Sequence, residues 1–153
     1  MRIASFAALL LASWCVMTLT HECGHLVGGA CCGATLKEAE LAPWRLPYSL
    51  HSPDPHPQIT LWCGPILGVL IPVSLAWLIH RDSAWFIADF CVLANGSYLT
   101  LSWISGDRFL DAPRMLAAGT PAWLLASYCV ITVSVGYVRF RNDCIQCLRS
   151  SPE

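Results

Sequence analysis

The sequence predicts an all-α polytopic membrane protein of about four transmembrane helices, with a short surface loop or β-hairpin between the first and second. Three observations carry that prediction. The chain of 153 residues is 56% hydrophobic and only 12% charged, about half the ~25% charge of an average soluble domain, and its mean hydropathy is +0.54. Four windows reach the ~20 apolar residues that a helix needs to cross a bilayer core. The long polar segment, residues 33–58, carries five prolines, which forbid a long helix there.

The first span covers residues 3–27. With Arg2 ahead of an apolar stretch it resembles a secretory signal peptide, but the apolar run is about twice the length of a signal core, so it reads as a retained span. In the segment that follows, residues 35–41 and 44–50 are expected as short strands at the membrane surface, with the Pro-rich remainder extended. A free strand edge there is suited to pairing with an extended peptide, the alternative being a plain connecting loop. Residues 59–79 form the second span and 84–104 the third. Only His80 to Ser83 separate them, which predicts an antiparallel helical hairpin. A polar link from Ser105 to Met115 leads to the fourth span, residues 116–138. Residues 1–138 thus form one transmembrane domain, and 139–153 a short polar tail.

Charge excludes more than it assigns. A net charge of -1 with nine Lys or Arg leaves no basic stripe for a phosphate backbone, so nucleic acid is not a partner. Arg2, Arg81, Arg139, Arg141 and Arg149 fall on one side of the expected topology, against Lys37, Arg45, Arg108 and Arg114 on the other, and the near-equal split gives no orientation. The nine cysteines are an odd set placed mostly in apolar runs, which is no disulfide framework. Cys144-Ile-Gln-Cys147 is a CxxC pair lacking a second pair. It reads as two reduced surface thiols, the alternatives being half of a zinc site or a redox couple.

The chemistry is concentrated at the end of the first span. Residues 21–25 read His-Glu-Cys-Gly-His, the H-E-x-x-H pattern. On a helix, positions i and i+4 share a face with about 6 Å of rise between them, so His21 and His25 can grip one Zn2+ ion. Glu22 then projects beside the metal as a general base for a water made acidic by it. Ionisable groups in an apolar span are costly to insert and normally face a cavity, a partner or an ion.

A catalytic zinc site needs a third protein ligand. Spans one and three run the same way, so the third ligand is sought near the end of span three. At 1.5 Å per residue His25 lies ~33 Å from Ile3, Asp107 ~35 Å from Ala84 and Asp111 ~41 Å along. Asp107 matches better, with Asp111 as the alternative. Asp89, Asp82 and His80 belong to the opposite side, and His51 and His56 sit in a Pro-rich loop that places ligands imprecisely. Gly64 and Gly68 form a small-xxx-small face for close helix approach, and Pro65 can free a backbone group toward the site. Asn95, in the middle of span three, is suited to holding a substrate carbonyl or to bonding a neighbouring helix.

Through these residues the chain resembles the site-2 protease family of intramembrane zinc metalloproteases, especially its small bacterial members. The likeness rests on His-Glu-Cys-Gly-His at the end of a span, Gly28-Gly29 after it, Gly-Pro-Ile-Leu-Gly at 64–68 and an Asp after a third span. The resemblance implies a multi-pass protein of the bacterial cell membrane that cuts membrane-embedded protein substrates. It also implies His21, His25 and Asp107 as zinc ligands, with Glu22 catalytic. Many relatives place Asn, then Pro, then Leu-Asp-Gly in the third core span. Here Gly and Ser follow Asn95, no Pro precedes Asp107, and Gly106 stands before it. No room remains for a regulatory soluble domain, which suggests an accessory membrane protein for substrate choice. The competing reading is non-catalytic: a metal-binding ion-carrier subunit or an inactive scaffold, which would tolerate Glu22→Gln.

Overall fold

The computed structural model describes residues 3–149. In chain order it contains α1 (Ile3–Cys31), β1 (Leu36–Glu40), β2 (Tyr48–His51), α2 (Pro57–Ile79), α3 (Asp82–Ser105), α4 (Asp111–Ala117) and α5 (Ala122–Arg149). Arg2 and residues 150–153 lie outside the described residues. Helices α1, α2, α3 and α5 are each long and apolar enough to cross a membrane. Their apolar side chains mostly face outward, Leu11, Leu70, Leu75, Val130 and Ile131 among them, the arrangement stable where the surrounding solvent is lipid.

The span limits differ from expectation at both ends of the bundle. Helix α1 continues past Val27 to Cys31 because Gly28 and Gly29 pack rather than break: a Cβ on Gly28 would lie 2.6 Å from the Cβ of Cys63. Residues 116–121 finish α4 and turn through Gly119 (φ 94°), so the last span starts at Ala122. Residues 139–149 are not a separate tail but the closing turns of α5.

Proline at the first position of α2 suits a site where no N–H is needed. Its C-terminus is closed by His80 in the left-handed region (φ 54°), whose N–H donates to Ala76. Arg81 then turns extended and α3 begins, giving the expected antiparallel pair. Glycines decide how closely the helices meet. A Cβ on Gly24 would strike the Cys63 carbonyl, one on Gly96 would strike Thr132, and one on Gly136 would meet the Leu93 backbone. Leu61, Leu99, Ala112, Met115, Leu125 and Cys129 form the apolar core that joins α2, α3, α4 and α5.

The two strands pair antiparallel, Leu36 opposite His51 and Glu40 opposite Tyr48, with an irregularity between Leu36 and Glu38. This hairpin does not lie flat across the end of the bundle. It runs back along α1 until the indole N–H of Trp14 donates to the Pro43 carbonyl at 2.8 Å. Trp14 precedes the end of α1 by 17 residues, about 25 Å of helix. Residues 44–47, expected in the second strand, belong instead to the connection at this tip, where Trp44 and Leu46 are exposed and Arg45 pairs with Glu40 at 2.9 Å.

Candidate metal centre

Helix α1 presents Glu22, His21 and His25 inward, all buried, and the three form a group able to hold a metal ion, with one ligand atom each within 4.8 Å of the others. A carboxylate from outside α1 completes the cluster. Asp111 Oδ2 lies 3.0 Å from His21 Nε2 and 3.3 Å from His25 Nε2, and the two Nε2 atoms are 3.1 Å apart.

Each imidazole is oriented by its other nitrogen. His21 Nδ1–H donates to Asn95 Oδ1 at 2.7 Å, and His25 Nδ1–H donates to the Thr60 carbonyl at 2.9 Å. The Asn95 amide is itself fixed, since its NH₂ donates to the Cys91 and Gly68 carbonyls at 2.8 and 3.3 Å. With Nδ1 as the proton-bearing nitrogen on both rings, both Nε2 lone pairs point at each other and at Asp111. Three acceptors thus face one another. Protons cannot satisfy all three contacts, because protonating both Nε2 atoms sets two cations side by side. A metal cation would satisfy them together.

Glycines make the room. A Cβ on Gly64 would occupy the His25 ring, and one on Gly68 would lie 2.8 Å from Asn95 Oδ1. Tyr98 packs edge-on against His21, with ring centroids 5.4 Å apart. Arg114 Nη1 stands 3.9 Å from Asp111 Oδ1, on the oxygen turned away from the histidines. Glu22 Oε2 accepts a hydrogen bond from Ser49 Oγ on β2 at 3.2 Å.

Two expectations are corrected here. Asp107 is not at the cluster. Gly106 ends α3 in the left-handed region (φ 67°), the chain turns outward, and exposed Asp107 accepts from the Phe109 N–H at 3.0 Å. A length count along an unbroken helix therefore misplaces it. The chain then returns, and Asp111 in the first turn of α4 brings its carboxylate back to the depth of the histidines. Asn95 is fully buried and its amide is committed to His21, Cys91 and Gly68, leaving nothing for a substrate carbonyl.

The remaining candidates separate cleanly. The Pro65 carbonyl accepts from Tyr128 at 2.8 Å and so points to α5, away from the cluster. His51 packs on Gly29, whereas His56 is exposed at the start of α2. All nine cysteines are free thiols, Cys144 and Cys147 half-buried near the end of α5. Ser49 and Thr60 have no counterpart in the sequence reading. A lone serine in a four-residue strand and a backbone carbonyl leave no motif.

Comparison with protein-family models, with curated proteins and with solved structures finds no match to this chain.

Proposed function

We propose that the protein is a zinc-dependent intramembrane endopeptidase of the site-2 protease type, seated in a bacterial cell membrane and acting on membrane-embedded protein segments. The observation that carries this reading is the meeting of His21, His25 and Asp111. A tetrahedral zinc ion holds nitrogen and oxygen ligands at ~2.0–2.2 Å, which spaces neighbouring ligand atoms ~3.3 Å apart. The three separations in the cluster are 3.0, 3.1 and 3.3 Å. Two neutral imidazoles and one carboxylate are also the donor set common in catalytic zinc sites, which keep a fourth position open.

Zinc held there would supply Lewis-acid activation of a water molecule at neutral pH. Glu22 would take the proton of the attacking water on its carboxylate and return it to the amide nitrogen as the C–N bond breaks. Asn95 and the Thr60 carbonyl keep both imidazoles turned inward throughout. A helical amide is shielded by its own hydrogen bonds, so the substrate segment must unwind before it is cut.

The test is Glu22→Gln in the purified full-length protein. The variant should retain one zinc per chain while cleavage of detergent-solubilised, fluorescein-labelled casein falls about 10²–10⁴-fold. Wild type without stoichiometric zinc, or zinc-loaded wild type with no cleavage above the level of Glu22→Gln, defeats the reading. The second outcome favours the metal-binding carrier or scaffold.

A further inference from the structure

Strand β2 is seated on α1 through two side chains of one strand face. Ser49 Oγ donates to Glu22 Oε2 at 3.2 Å. Two residues on, the His51 imidazole lies against Gly29, with ring atoms 2.5 and 2.6 Å from where a Cβ on that glycine would be. Glu22 and Gly29 are seven residues apart, two helical turns, and so share a face of α1. Ser49 and Glu22 are 5% and 7% exposed, which makes this a contact inside the protein and not a solvent-averaged one. Among the described residues Ser49 is the hydrogen-bond partner of the Glu22 carboxylate.

We infer that Ser49 is the positioning residue of the base, and that β2, resting on Gly29, is the element that holds Glu22 in place. The inference rests on the peptidase reading above. Glutamate is a long side chain, free to turn about each of its single bonds, and helix α1 fixes only its Cα and Cβ. A general base must sit within ~2.6–3.2 Å of the proton it removes, and an error of ~1 Å in such geometry costs about 10²-fold in rate. A hydroxyl donating to Oε2 fixes that oxygen and leaves Oε1 to receive the proton. Since the donor comes from the hairpin and not from a span, displacing β2 disables the base and leaves the metal ligands untouched.

Ser49→Thr and Ser49→Val test this at equal side-chain volume, differing in the hydroxyl alone. Two readouts apply to the zinc-loaded full-length protein. One is casein cleavage in detergent; the other is the Kd of acetohydroxamic acid, a zinc chelator whose N–H and O–H groups would donate to the Glu22 carboxylate. Ser49→Val is expected to lower kcat about 10- to 100-fold, with KM and zinc content unchanged and the hydroxamate Kd raised about 10-fold. Ser49→Thr should rescue most of both losses. Gly29→Ala puts a methyl where the His51 ring lies and tests the seat of β2: a kcat loss of the same sign as that of Ser49→Val, with zinc content unchanged, is expected. Equal kcat and equal hydroxamate affinity for the Thr and Val variants would overturn the inference, as would loss of zinc in Ser49→Val. Failure of the peptidase reading shows separately, as absent zinc or undiminished cleavage by Glu22→Gln. If casein is not cut at all, the hydroxamate comparison still reads the contact.

Discussion

Three carboxylates are buried among the apolar helices, those of Glu22, Asp89 and Asp111, and the two aspartates, one toward each end of the bundle, are neutralised in opposite ways. Asp89 on α3 accepts the Nε–H of Arg139 on α5 at 2.7 Å, and the guanidinium also lies 5.0 Å from the centre of the Trp85 ring. That pair is complete within the chain: donor meets acceptor, and α3 is pinned to α5. Asp111 instead meets two imidazole nitrogens whose protons are committed elsewhere, with the Arg114 guanidinium 3.9 Å away on its other oxygen. The difference separates a fastening from a receptor. Burial of a charge tolerated because a partner charge is built in points to architecture, whereas converging lone pairs ask for a cation from outside.

The largest expected effect breaks the second cluster. Asp111→Ala or His25→Ala should reduce bound zinc from one per chain to less than a tenth, measured by metal analysis after dialysis, and abolish cleavage. Asp107→Asn, in the same link, should leave both unchanged. Next comes Asn95→Ala, which frees the His21 ring to rotate and should weaken zinc affinity about 10- to 100-fold in a competitive chelator titration. Gly68→Ala pushes on the same amide and should act in the same direction, less strongly. The smallest effect belongs to the fastening. Asp89→Asn should lower stability against SDS-induced unfolding by about 1–3 kcal/mol, the half-exposed Arg139 side chain limiting the loss, with zinc content unaltered. A fall in zinc in Asp89→Asn would erase the distinction between the two ends.

Much of this was legible in the sequence because it depends on local periodicity and composition. Four apolar runs gave four long helices, five prolines excluded a helix between the first two, and the i, i+4 spacing put His21 and His25 on one face. The choice between Asp107 and Asp111 was not legible, because it turns on how the chain leaves α3. One left-handed glycine at 106 reverses its direction, and a rise per residue carries no information about direction after a break. Ser49 was hidden for a similar reason. Its role depends on the hairpin folding back along α1 to Trp14, a tertiary path set by the Pro43 carbonyl and by the room at Gly29. Asn95 was noticed for its cost in an apolar span, yet its partner lies 74 positions away and spacing could not name it.

Helix α4 is only seven residues long and belongs to none of the four spans, yet it carries Asp111. It is tied to its neighbours: the Ala112 N–H donates to Ser102 Oγ on α3, and Ala112 and Met115 sit in the core with Leu61 of α2 and Leu125 of α5. If the cluster holds a metal, opening this one short coil would withdraw a single claw from the ion while the long rods stay clasped.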